Sequence, residues 1–556
     1  MTHLPNAVGD MKHLRHLDIR RTGITALPDS ITKLYNLMTL KVRYLKEIPK
    51  KFCNLTNLRH FEFYTWEDGC LFPGIGQLAN LLTLPHFRVS QDKGCQLEEL
   101  EHLRNLGGEL RIFGLENVSS CESAAKAKLS EKSSIQSLRL SWADTNEDCD
   151  DNNINSVMEG LQPHPNLKGL AIDGFKGSRL PSWMVAKDHS VHLRNLVHLS
   201  LKGLDKCEQV PPLGDLPCLE SLVMESLHNV KRIGAEFYGL DINARSSASC
   251  SSSTSSREVK AVTLFPKLSH FELLGMGSLE EWSGAMVSSD SSSSSIKVFP
   301  NLRDLQIYRV PKLAALPDME NLTSLKVLDI TGCGSLACIR NLNSLTSLEC
   351  LYLYDCPALL DASLDMKNLR ELTISGCDKL NPSLSNDLEK LTSLEKLAIR
   401  SHDPSCWPSM VLHHLANLRS LTLGGFSDIL DLDHFPWPHS ITNLVSLEHL
   451  QLRGWPKITS LPDQIQHLST LRTLEIREFE GLEVLPEWMG SLRNLRDLWI
   501  ADCYNLRQLP SAEAVRHLTN LNQLYIDTCP LLAERCTKGS GAERPKIAHI
   551  PRVVID

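Results

Sequence analysis

No stretch of this 556-residue chain approaches 18 uninterrupted apolar residues, so no transmembrane helix is expected. The opening, MTHLPNAVGDMKHLRH, lacks the apolar core of a secretory leader, which makes cytosol or nucleus the expected compartment. An excess of basic charge is missing too. A net charge of −8 and a pI near 6.2 argue against general nucleic-acid binding or attachment to an anionic membrane, and leave room only for local basic patches. There is no G-x-x-x-x-G-K-[ST] loop to wrap backbone donors around phosphates, and no H-E-x-x-H, G-x-S-x-G, kinase or Rossmann signature. The adjacent His413 and His414 and the scattered carboxylates lack a second element at a catalytic spacing and read as exposed loop residues. A catalytic role, a cofactor and a metal are all outside what is expected.

What fills the chain instead is one short pattern, L-x-x-L-x-[LIVF], in some twenty copies from Leu14 to Ile526. LRHLDI (14–19), LKGLAI (167–172), LKVLDI (325–330), LRTLEI (471–476) and LNQLYI (521–526) are clean examples. In the later part of the chain they recur every 21 to 29 residues or so, the spacing of leucine-rich repeats. The L-x-L portion is a period-two strand that cannot bury its leucines alone, so copies must stack. The expected fold is an α/β leucine-rich repeat solenoid: a horseshoe with a concave parallel β-sheet of about 20 strands and an irregular or short-helical convex side. At a strand spacing of about 4.8 Å the sheet should run along an arc of roughly 100 Å. Stability would then come from nearest-neighbour interfaces, leaving the residues between the leucines free for recognition.

The organisation is uneven. Residues 1–90 read as regular N-terminal repeats punctuated by LPDSI and IPKKF, and 91–240 as irregular repeats. Within the latter, SAAKAKLSEKSSIQSLRL (123–140) predicts a short helix leading into a strand, and ADTNEDCDDNN (143–153) a solvated acidic loop without the twelve-residue spacing of an EF-hand. Residues 241–295 hold a repeat lengthened by two serine-rich insertions, 244–258 and 287–295, expected to be disordered; the closure cost of such loops grows slowly. Regular repeats return over 296–528, and 529–556 is expected to cap the stack.

Seventeen cysteines suggest disulfides or zinc, yet no C-x-x-C pair occurs. Cys333, Cys356, Cys377, Cys503 and Cys529 each follow the last apolar residue of L-x-x-L-x-[LI] by three positions, the Asn/Cys site of the consensus, where a small side chain is expected to tuck into the turn. The sequons at Asn54, Asn117 and Asn321 would matter only in a secreted protein.

Recognition chemistry is the better candidate. The x of L-x-[LI] and the residue after it should run up the concave sheet as columns, because alternate side chains point away from the core. In the C-terminal repeats these positions include Tyr308, Tyr352, Tyr354, Trp499 and Tyr525, with Arg400, Arg453 and Arg477 in the second column. Aromatic and Arg side chains are favoured interface anchors, and such a stripe suits an acidic, partly apolar protein surface. The competing expectation is that they pack on one another as ordinary cross-strand neighbours.

Several long blocks, in order, resemble the leucine-rich domain of plant coiled-coil NB-ARC disease-resistance receptors (NLR proteins). LPNAVGDMKHLRHLDIRRTGITALPDSITKLYNLMTLKV (4–42) and KFCNLTNLRHF (51–61) are similar to the early repeats, and GGELRIFGLENVSSCESAAKAKLSEKSSIQSLRLSW (107–142) to a characteristic irregular one. FKGSRLPSWM (175–184), VPPLGDLPCLESLVMESLHNVKRIGAEFYG (210–239) and CPLLAERCTKGSGAERPKIAHIP (529–551) resemble later blocks and the terminal cap, with Arg544 where the family usually has Trp.

The resemblance implies a defence role in which the repeats sense a pathogen effector or a guarded host protein and restrain the NB-ARC switch. Met1 falls inside the repeats, so the chain is expected to keep the sensing and docking half without binding ADP or ATP. Its first repeat is expected to expose an apolar side that favours self-association or a partner there. The alternative is a free-standing intracellular repeat scaffold or decoy adaptor that uses the same face without a nucleotide switch. A ubiquitin-ligase substrate receptor would need an N-terminal docking helix set, and none precedes Leu14.

Overall fold

The computed structural model describes residues 2–46, 48–64, 73–143, 151–185, 192–240, 262–285, 296–362, 364–380, 388–401, 412–425, 441, 443–539 and 541–556. Both serine-rich insertions lie outside them, as does most of the acidic stretch. Its last residues, from Asp151, are not a loop but open the helix Asp151–Gly160. The chain is a leucine-rich repeat solenoid that divides into two compact units, Met1–Leu302 and Arg303–Asp556.

In the first unit, His16–Asp18, Thr39–Tyr44 and His60–Tyr64 form a three-stranded parallel sheet. A second parallel ladder runs through His86–Arg88, Gly108–Phe113, Ile135–Ser141, Gly169–Asp173, His198–Lys202, Ser221–Glu225 and His270–Leu274. The predicted helix of the irregular repeat appears as Cys121–Ala125, with Ser120 accepting from the Ser123 N–H at its N-terminus, followed by a 3-10 turn Leu129–Glu131 and then the strand Ile135–Ser141. In the stretch that carries the insertions, an aromatic core supplements the leucines. Phe237 and Phe265 rings lie 4.9 Å apart, Phe265 and Phe299 4.7 Å, and Trp282 donates to the Tyr238 hydroxyl at 3.1 Å.

The second unit is more regular. Parallel strands run from Asp304–Tyr308 and Val327–Thr331 through Cys350–Tyr354, Glu371–Ser375, Lys396–Arg400, Ser420–Gly424, His449–Arg453, Thr473–Arg477 and Asp497–Ala501 to Gln523–Asp527. Leu305, Leu328, Leu351, Leu372, Leu397, Leu421, Leu450, Leu474, Leu498 and Leu524 sit in one register row and are buried. Each such side chain is worth about 1.5–3 kcal/mol of burial.

Two local rules hold the stack together. The residue immediately after most strands is left-handed, and glycine fills it at Gly174, Gly203, Gly275, Gly332, Gly376, Gly425 and Gly454. Polar or charged side chains accept the same corner at Ser226, Arg309, Asp355, Glu478, Asp502 and Thr528. The next residue then turns inward into a buried slot, and this is the cysteine position. Cys356 donates to the Tyr354 carbonyl at 3.3 Å, Cys503 to that of Ala501 at 3.3 Å and Cys529 to that of Asp527 at 3.2 Å. A small side chain is not required there, because Val310, Trp455 and Phe479 fill the equivalent slot.

The second rule concerns asparagine just before the first leucine of the pattern. Its side-chain amide donates to a carbonyl of the preceding repeat: Asn36 to Lys12, Asn57 to Tyr35, Asn368 to Thr346, Asn417 to Thr392, Asn494 to Ser469 and Asn520 to Arg493, at 2.7–2.9 Å. These bonds satisfy loop carbonyls and add an inter-repeat tie wherever the asparagine occurs.

The segment after Cys529 folds as helices Pro530–Arg535 and Arg544–Ile547 and returns as the strand Arg552–Ile555, which pairs with Gln523–Asp527. The ladder therefore continues beyond residue 528. This end is held by Glu543, 4 % exposed, which accepts from the Leu509 N–H at 3.0 Å and from Lys546 at 2.7 Å, with Arg535 at 3.6 Å.

Candidate functional site

The period-two strands of the second unit send their remaining side chains to one exposed sheet face, where register sorts them into columns. One column reads Gln306, Asp329, Tyr352, Thr373, Ala398, Thr422, Gln451, Glu475, Trp499, Tyr525. Beside it runs Tyr308, Thr331, Tyr354, Ser375, Arg400, Gly424, Arg453, Arg477, Ala501, Asp527. All eight residues singled out in the sequence stand on this face and are half-buried. Tyr352, Trp499 and Tyr525 share the first column; Tyr308 and Tyr354 share the second with the three arginines.

Much of the face is knitted to itself. Trp499 and Tyr525 stack with centroids 3.6 Å apart and planes 9° from parallel, and the Arg552 guanidinium lies 5.4 Å from the Tyr525 ring. Tyr352 and Tyr354 stack more loosely, at 6.5 Å. Tyr308 donates its hydroxyl to Asp329 at 2.9 Å, as does Thr331. Burial nevertheless holds the Asp329 carboxyl above the usual carboxylate range. Arg453 grips Glu478 through Nη2 at 2.6 Å and Nε at 2.8 Å, which raises its pKa. Arg477 meets Glu475 at 3.2 Å, and Gln451 donates to the same carboxylate at 3.1 Å.

Arg400 differs. Among the described residues no carboxylate lies within ion-pair distance of it, and burial together with the charge of Arg453 lowers its pKa. The strand between these two arginines presents Gly424, which the sequence reading passed over. Its signal, a glycine at the second column position of LTLGG, is visible only once the register is known.

One edge of the same sheet carries alternating charge. Lys326, Glu349, Arg370, Glu395, Arg419, Glu448 and Arg472 each stand immediately before one of the successive strands, with the Lys326–Glu349 pair at 2.7 Å, Arg370–Glu395 at 3.3 Å and Arg472–Glu448 at 3.2 Å. These residues line shallow grooves, and most of their charge is paired within the edge itself, four cations against three carboxylates. In the first unit the corresponding face holds Arg111, Arg139, Phe113 and Asp173, with Arg139 paired to Asp173 at 2.6 Å.

Among the described residues no group of three or more His, Cys, Asp or Glu is placed to hold a metal, and no helix is long and apolar enough to cross a membrane. Burial pushes the Cys207 thiol up to about 12 and Cys536 up to about 11, which makes them poor nucleophiles. His413 and His414 fall in the short turn Leu412–His414, where the side chain of His413 lies outside the described residues and His414 is exposed.

The chain matches the family described as R13L1/DRL21 LRRs over residues 97–227 and 456–529, and that described as a leucine-rich repeat region over 249–440. It is 30 % identical over 328 residues to disease resistance protein RGA2 of Solanum bulbocastanum, covering 58 % of this chain and 31 % of that protein. To the putative disease resistance RPP13-like protein 1 of Arabidopsis thaliana it is 28 % identical over 479 residues, 83 % of this chain and 38 % of the other. The chain thus spans about a third of the length of these relatives. Among solved structures it aligns along its full length with a leucine-rich repeat protein of Leptospira interrogans, at 18 % identity and a TM-score of 0.35.

Repeat pattern, ladder and family matches together define a leucine-rich repeat protein. More narrowly, its repeats are similar to those of plant disease-resistance proteins.

Proposed function

We propose that this chain is a protein-binding module of plant defence, the part of a receptor that recognises a pathogen effector or a guarded host protein, or that docks on the receptor's own NB-ARC switch. The observation that carries the reading is the exposed face of the second unit. Half-buried aromatics and arginines stand there in adjacent columns, on a sheet whose backbone and core are complete without them. Tyr, Trp and Arg supply large contact area at modest entropic cost, which is why they anchor interfaces. The relatives' names, disease resistance proteins, support the setting.

Arg453 and Arg477 already have carboxylate neighbours, so charge removal is a cleaner test than reversal. Candidate effectors and host proteins are screened against the whole chain by surface plasmon resonance. For any partner found, the Arg453→Gln, Arg477→Gln double variant should weaken affinity tenfold or more with little change in melting temperature. Unaltered affinity removes this stripe from the binding surface.

A further inference from the structure

The second column alternates in size around one point. Tyr354, Ser375, Arg400, Gly424 and Arg453 occupy successive strands, so each long side chain is followed by a short or absent one. The parallel column contributes only Thr373, Ala398 and Thr422 over the same strands. The result is a floor of small side chains, bounded on one side by the stacked Tyr352 and Tyr354 and on the other by Gln451 and Arg453. At Gly424 the strand carries no side chain, and the residue itself is buried. A Cβ there would come within 2.4 Å of the Arg453 carbonyl oxygen, so this notch cannot be filled by the chain's own side chain at that position.

Two arginines flank the notch, about 10 Å apart at their Cα atoms for two strand spacings. Arg453 is engaged by Glu478. Arg400 is half-buried and, among the described residues, has no carboxylate within ion-pair distance. A guanidinium does not lose its charge in a protein, so a half-buried one beside a second cation is left with an unmet demand for an anion.

We propose that Arg400, over the bare position of Gly424, anchors one carboxylate side chain of a partner polypeptide, with Tyr352 and Tyr354 receiving the apolar residue next to it. This rests on the reading that the exposed face of this unit receives a protein. Charge complementarity selects the occupant. Among the described residues no carboxylate is within ion-pair distance of Arg400, whereas Glu475 and Glu478 both stand three strands beyond it and are already engaged by Arg477 and Arg453. A single carboxylate matches that balance and can take the planar fork bidentately; a phosphate of nearly twice the charge, or a nucleic-acid backbone, would meet those carboxylates as well.

The probe is a phage-displayed library of random 14-residue peptides selected on the whole immobilised chain. The proposal expects enriched peptides to share an Asp or Glu at one fixed position beside an apolar residue. Their affinity should fall tenfold or more on Arg400→Gln, recover in part with Arg400→Lys, and stay unchanged with Arg370→Gln on the sheet edge, all at equal melting temperature. Enriched peptides without an acidic position, or with affinity for Arg400→Gln within twofold of the parent, overturn it, as does a library that yields no binder. Tighter binding of a peptide whose acidic residue is replaced by phosphoserine overturns the carboxylate assignment. If peptides ignore Arg400→Gln but lose affinity on Trp499→Ala, the notch falls and the binding face stands. If they ignore Arg400→Gln, Trp499→Ala and the Arg453/Arg477 double variant alike, both readings fall.

Discussion

Single residues here are governed by what the neighbouring strand puts beside them. His86 shows this in the first unit. It is 7 % exposed, with Phe63 and Phe113 rings 5.5 and 5.9 Å away, and its Nδ1 has no hydrogen-bond partner among the described residues. Burial first, and the Arg111 charge second, lower its pKa to about 4 from an ordinary value of 6.5. The neutral ring is the form that fits. Between pH 6.5 and 4 the unfolded chain takes up the proton before the folded one does, so stability is kept above 6.5 and falls as the pH drops through that window. The whole effect is about 3 kcal/mol. His86→Phe should lose less stability than the parent between pH 7 and 4.5, read as urea midpoints; parallel losses in the two proteins would contradict it. The cysteines belong to the same scale. Their spacing after L-x-[LI] was legible and points to the buried turn slot that they fill, whereas the range of side chains the slot takes, Trp455 and Phe479 among them, was not.

At the level of elements, the strands were legible because period two separates buried from exposed positions without reference to anything distant. The terminal cap was not. Its resemblance blocks marked Arg544 as a departure, yet the residue that locks the end is its neighbour Glu543, which reaches back to the Leu509 N–H while holding Lys546. Nothing local in ERPK distinguishes a buried glutamate from a solvated one. Removing it leaves cations and a backbone donor without their acceptor, which costs about 2–3 kcal/mol when the partners are partly exposed. Glu543→Ala should therefore lower the melting temperature and speed amide exchange in Arg552–Ile555 while leaving Asp304–Tyr308 protected. Unchanged exchange in the last strand would show that the helix packing alone holds the cap.

Across the molecule the governing fact is that each repeat leans only on its neighbours, so damage should stay local. Gly332 offers a clean probe: its φ is 71°, and an added Cβ would meet nothing nearer than 3.4 Å. Gly332→Ala should cost about 1 kcal/mol of left-handed strain and nothing from collision. Exchange should quicken in Val327–Thr331 and Cys350–Tyr354, with Gln523–Asp527 unaffected; a uniform change along the unit would argue for a single cooperative block. The repeat, the inward leucines and the places of the aromatics and arginines on the sheet face could all be read from the chain, because each depends on residues within one repeat. Which of those arginines is already neutralised could not. Arg453 meets Glu478 and Arg400 meets none among the described residues because of what stands 24 to 29 residues away on adjoining strands, and only stacking, with loops of unequal length, brings those positions into one column.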